Sequence, residues 1–142
     1  MAMKLMICGS MAFAREMLAA QKKVEEIGHT VHVPHDTDAH IDDEALVDDL
    51  DRNLVHAAER DLMMQSFKLV SRSDAILVLN YKRKGIEGYI GTSTLMEIGL
   101  AYYLGKKIFL LNDVPPHDEV RWAHEIRLIN PTILHGDLSS LR

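Results

Sequence analysis

Apolar positions along the chain change spacing at regular intervals, and those changes outline its elements. Leu5-Met6-Ile7-Cys8 is a short apolar run stopped by Gly9-Ser10; from Met11 the period becomes helical, with Met17, Leu18, Val24 and Ile27 on one face and Gly28 placed as a C-terminal cap. Thr30-Val31-His32-Val33 follows as a β-branched strand ended by Pro34, which completes a βαβ unit. From Asp42 to Val70, Leu46, Leu50, Leu54, Ala58 and Leu62 lie on a slowly drifting face, predicting a long helix, acidic at its start, with a kink or break inside it.

Asp74–Leu79 is apolar almost throughout, the mark of a parallel strand buried on both faces, and is predicted to be central. Leu95, Ile98 and Tyr102 mark a helix ending at Gly105; Lys107–Leu111 is the next strand, His117–Leu128 a further helix and Thr132–Leu134 a last short strand. Five strands alternating with helices predict an α/β fold: a single doubly wound domain over residues 1–142 with a five-stranded parallel sheet, flavodoxin- or Rossmann-like. No repeat, low-complexity segment or Gly/Ser-rich linker divides it.

Composition narrows the function classes. A chain of 142 residues that is 47% hydrophobic fills one core, and a net charge of -5 without a Lys/Arg run argues against a nucleic-acid or membrane-surface partner. The single cysteine, Cys8, excludes an internal disulfide framework and suits a reducing, cytoplasmic setting. Met3–Ala20 is interrupted by Lys4, Arg15 and Glu16, so it is read as structure and not as a signal peptide, and no segment has the length of apolar chain a membrane helix needs.

Open α/β sheets bind ligands at the carboxyl ends of their strands, near the point where strand order reverses. Here those ends carry Gly9-Ser10, His35-Asp36, Asn80-Tyr81 and Asn112-Asp113. Gly9-Ser10, with Arg15 nearby, could hold a phosphate or a sugar hydroxyl on free backbone N–H groups, or could be only a turn glycine and an N-cap serine. Gly91-Thr92-Ser93-Thr94 leads into a helix with Glu97 near its start. Hydroxyls and N–H groups there suit an anionic ligand, and the helix dipole would keep Glu97 ionised; alternatively, Thr94 and Glu97 have the spacing of a capping box.

Cys8-Gly9-Ser10 after the first strand, the Ser73-Asp74-Ala75-Ile76 strand, and Gly91-Thr92 followed by Glu97-Ile98-Gly99, Ala101 and Gly105-Lys106-Lys107 together resemble the nucleoside 2-deoxyribosyltransferase superfamily, including its 2′-deoxynucleoside 5′-monophosphate N-hydrolases. The resemblance spans most of the chain. It implies cleavage or transfer at the N-glycosidic bond of a nucleoside or its 5′-monophosphate, with Glu97 attacking or stabilising the anomeric carbon as carboxylates do in retaining glycosidases. It also implies phosphate binding near Ser10, Arg15 and the Gly91–Thr94 turn, no cofactor, and a homodimer or larger assembly in which Met63, Met64 and Phe67 supply an apolar patch.

Two positions depart from the family pattern. Asn80 stands where the family has an aspartate that orients or protonates the base, and Met6 where it has a tyrosine near the glutamate. Asn80 can hydrogen-bond but cannot titrate, which leaves Asp36, His35 and Asp113 as substitute proton sources. The departures also suit a different class of protein, a nucleotide-binding or sensing module that has lost efficient catalysis. A phosphoribohydrolase-like enzyme is a further alternative. The cations and aromatics between Tyr81 and Tyr89 form either a closing loop or a solvated basic loop. His32, His35, Asp36, Asp38 and His40 are read as an exposed polar loop, and His117 and His124, on one helix, lack the His-x-x-x-His spacing with a third ligand, so no metal site is expected.

Overall fold

The computed structural model describes residues 2–142. Five strands, β1 (Lys4–Cys8), β2 (Thr30–His32), β3 (Ala75–Val78), β4 (Lys107–Leu110) and β5 (Thr132–Ile133), form one sheet in the order β2-β1-β3-β4-β5. Every pairing is parallel. This is the doubly wound, flavodoxin-like order, and β3 lies at its centre as its unbroken apolar run predicts. All four β3 residues are fully buried, each larger side chain contributing on the order of 2 kcal/mol relative to exposure.

Strand alternation divides the core into two layers. On one face Leu5, Ile7, Val31, Leu77 and Leu79 pack against Met17, Ala20 and Val24 of α1 (Ala14–Ile27). On the other, Met6, Cys8, Ile76, Val78 and Leu110 meet α4 (Leu62–Arg72), α5 (Thr92–Tyr103) and α6 (Trp122–Ile129). Helix α1 carries the chain from β1 outward to β2, whereas the later crossovers carry it the opposite way. Strand order therefore reverses between β1 and β3, and a crevice opens above their carboxyl ends.

The helical stretch expected from Asp42 to Val70 carries the break expected inside it, at Asp61, but does not start as one helix at Asp42. A short helix, α2 (Thr37–Asp42), comes first, turns follow, and α3 (Leu50–Arg60) starts only after Asp49, whose carboxylate accepts a hydrogen bond from the Arg52 backbone N–H at 3.3 Å. Asp61, at φ 50° and ψ 44°, ends α3 in the left-handed conformation and separates it from α4, a geometry aspartate tolerates better than most residues. The drifting apolar face is also not a core face throughout: Leu46 is buried, but Leu50 and Leu54 are 75% and 70% exposed, and α3 buries none of its residues.

Candidate functional site

A cleft of about 710 Å³ occupies the crevice. Its floor is the turn after β1, one side is the chain after β2, the opposite side is the start of α5, and α3 and α4 supply an apolar wall that includes Leu54, Met63 and Phe67. Gly9 makes the floor possible. Its φ is +157° and a Cβ would stand 3.0 Å from the Leu79 carbonyl oxygen, so only glycine brings this turn so close to the end of the β3 chain. Ser10 lines the cleft, but its Oγ accepts from the Ala12 backbone N–H at 3.2 Å and thus caps the one-turn 3-10 helix Met11–Phe13.

Helix α5 begins at Thr92, with Gly91 as its N-cap and no side chain capping it. Thr92, Ser93 and Thr94 form its first turn, whose backbone N–H groups have no partners inside the helix, and this turn lines the cleft. Glu97 belongs to the second turn. The capping-box reading is therefore corrected: Thr94 lies three residues inside the helix and Glu97 is too far along it to reach the N-cap.

Glu97 is buried in the cleft wall. Burial raises its carboxyl pKa from 4.5 to about 7, the negative charge of Asp36 adds to the rise, and a hydrogen bond with the Cys8 thiol opposes it. Desolvation thus outweighs the helix dipole that was expected to keep Glu97 fully ionised, and the carboxyl is divided between both protonation states near neutral pH. Cys8 is equally enclosed; burial and the neighbouring carboxylate push its thiol well above the ordinary range and keep it neutral beside Glu97, with its Sγ 3.9 Å from the Met6 carbonyl oxygen to which it donates. Met6 is fully buried on the same face of β1, one pleat further from the strand end. Alternation along β1 places Cys8, not Met6, beside Glu97.

The structure brings together Gly9, Ser10, Asp36, Gly91, Thr92, Ser93 and Glu97 among the residues the sequence singles out. Four others fall outside the cleft lining, and each has a physical reason. Asn80 is fully buried and spent on Asn112: its Nδ2 donates to the Asn112 carbonyl at 2.6 Å and its Oδ1 accepts from the Asn112 N–H at 2.9 Å. Arg15 points to solvent, 64% exposed, and pairs with Glu44 at 3.4 Å. His35 is exposed where the chain leaves β2. Asp113 turns back to accept from the Val114 N–H at 2.8 Å and borders a separate small depression with Arg127 and Asn130.

The cations that do line the cleft are Arg83 and Lys84. Arg83 binds both oxygens of Asp48, at 2.8 and 2.9 Å, and its guanidinium stands 5.6 Å from the Tyr89 ring centroid. Their loop is held down at Gly88, where φ is +68° and a Cβ would lie 2.1 Å from the Asp113 carbonyl oxygen. The sequence marks Tyr81–Tyr89 as either a closing or a solvated loop; only the fold distinguishes Arg83, half-enclosed against the cleft, from the exposed Lys82.

No protein-family model matches the chain, and no curated protein matches it. Among solved structures it is similar to the CMP N-glycosidase BcmB of Clostridium botulinum, at 15% identity over 97% of this chain and 94% of that one, with a TM-score of 0.47. At that identity and score the likeness decides nothing about chemistry, which has to come from the cleft's own residues. Among the described residues no helix is long and apolar enough to cross a membrane.

Proposed function

We propose that the cleft binds a nucleoside or nucleoside 5′-monophosphate and that Glu97 acts on its N-glycosidic bond. One observation carries the reading: a carboxyl group enclosed in the wall of the crevice where strand order reverses, its pKa raised by burial to about 7 so that both protonation states are available near neutral pH. As the bond from C1′ to the base breaks, its electron pair leaves with the base and the sugar becomes oxocarbenium-like. An ionised Glu97 either adds an oxygen to C1′ or stabilises its charge, and water or a second base then takes the glycosyl group.

Of the three substitute proton sources only Asp36 lines the cleft, and its negative charge faces Glu97, so the departing base takes its proton from water in the cleft. The open N–H groups of Thr92–Thr94, with Arg83 and Lys84 nearby, suit a 5′-phosphate, which would compete with Asp48 for those cations. The resemblance to the nucleoside 2-deoxyribosyltransferases supports the same assignment of Glu97 through the Gly91-Thr92 and Glu97-Ile98-Gly99 residues.

The deciding experiment incubates the protein with deoxynucleosides and their 5′-monophosphates and follows free base by chromatography. Wild type should release base, and Glu97→Gln should do so about 100-fold more slowly or worse, the loss typical of removing a key electrostatic group. A wild type that binds nucleotide yet releases no base would make the chain a binding or sensing module; one that binds none would remove the nucleotide assignment altogether.

A further inference from the structure

Asp36, His40 and His56 converge from two elements that the sequence keeps well apart. His40, on α2, brings its Nε2 to 3.0 Å from Asp36 Oδ2; His56, on α3, brings its Nε2 to 3.8 Å from the same oxygen. One ligand atom from each residue lies within 4.8 Å of the others. The imidazole rings stand nearly perpendicular, at 88°, with centroids 6.0 Å apart. The exposed polar loop expected here is in fact an enclosed corner: the side chains of Asp36, His40 and His56 are only 13%, 1% and 11% exposed.

Hydrogen bonding within the trio leaves two ring nitrogens unaccounted for. His40 Nδ1 and His56 Nε2 are buried without a hydrogen-bond partner; of the two, His56 Nε2 is the one turned to Asp36, and 3.8 Å is too long for it to satisfy itself there, whereas His40 already meets Asp36 through its other ring nitrogen, Nε2. Buried polar atoms are almost always paired, and an orphan beside a carboxylate and a second imidazole calls for a further group between them. A dication between them would accept a lone pair from each ring and from the carboxylate.

We infer that Asp36, His40 and His56 form a binding site for a divalent transition-metal cation of the zinc class, opening on the cleft through Asp36 and His40. Bonds of 2.0–2.2 Å in tetrahedral array separate ligand atoms by about 3.4 Å, and the two separations from Asp36, 3.0 and 3.8 Å, bracket that value. Two imidazoles and one carboxylate select a borderline metal over magnesium or calcium, which take oxygen ligands. Three protein ligands leave a coordination position for water or a ligand oxygen, as open metal sites do. The site stands on this cluster alone and does not depend on base release.

The test uses chelator-stripped full-length protein and zinc chloride alone, in calorimetry and in metal analysis after dialysis, with cobalt(II) as a spectroscopic probe. One zinc per chain should bind, and cobalt should give visible d–d absorption. Losing an outer-shell partner already weakens metal binding 10- to 100-fold, so His40→Ala and His56→Ala should each weaken it about 100-fold or more. His56→Ala alters a surface helix with no buried residues, and circular dichroism will show whether each variant is folded. The His117 and His124 rings, 5.9 Å apart, are the competing location. Absence of zinc binding, or binding that survives in folded His56→Ala and disappears in a His117→Ala/His124→Ala variant, would overturn the assignment.

Discussion

Asn80 and Asn112 lock the carboxyl ends of the β3 and β4 chains together through three hydrogen bonds, two using the Asn80 side chain and one running from Asn112 Nδ2 to the Asn80 carbonyl at 3.2 Å. A catalytic aspartate at this position would present an oxygen to the Asn112 carbonyl, 2.6 Å away, where Asn80 now presents a donor. Asn80→Asp should therefore lower stability by roughly 2–3 kcal/mol, the cost of an unpaired buried group, without increasing any base release. Urea denaturation and the chromatographic assay check the two halves. A stable Asn80→Asp with faster base release would mean that the side chain can leave Asn112 and serve the cleft.

Glu97 makes a paired prediction of stability and activity. Its folded pKa is raised from 4.5 to about 7, so between those values the folded protein holds a proton that the unfolded chain has released. Stability should accordingly fall as pH rises through that window, by about 3 kcal/mol in all, and stay reduced above it. Glu97→Gln lacks this titration. With chelator present, urea denaturation should show the variant more stable than wild type at pH 8, on the order of 2 kcal/mol, with the advantage gone at pH 5. Base release by wild type should rise with pH through about 7, because the ionised carboxylate is the active form. Equal stability differences at both pH values would place the titration elsewhere.

Phosphate recognition should follow the cleft and not the sequence neighbourhood of Ser10. Arg83→Ala should weaken binding of a 5′-monophosphate about tenfold and leave the parent nucleoside nearly unaffected, as expected for loss of a charge-assisted contact. Arg15→Ala, which removes a solvent-exposed ion pair with Glu44, should change neither. Calorimetry with nucleoside and monophosphate side by side distinguishes them, and the opposite ranking of the two variants would restore Arg15 to the site.

The exposed apolar side of α3 and α4 predicts self-association. Leu50, Leu54, Met63 and Met64 are all about half exposed or more, and no residue of α3 is buried within the chain. We expect a homodimer in which a second copy covers this wall and encloses the cleft. Sedimentation should give a dimer at micromolar concentration, and Leu54→Asp, a change at the surface of the single chain, should convert it to a folded monomer. Wild-type protein that sediments only as a monomer would refute the expectation.

The sequence by itself determined the alternation of elements, the five strands and the central place of β3, because spacing of apolar residues reports which side chains share a face within one element. It also marked Gly9 and the Gly91–Glu97 stretch, since turns and helix starts need particular residue types locally. Four outcomes required the tertiary structure: Asn80 is tied to Asn112, Arg15 faces solvent, Arg83 reaches the cleft, and His56 meets Asp36 and His40. Each depends on how the elements pack on one another, which brings together residues 16 or more positions apart, and no local periodicity encodes those distances. The protonation balance of Glu97 belongs to the same class. The helix dipole is legible from sequence position, but the burial that outweighs it exists only once α5 has packed on the sheet.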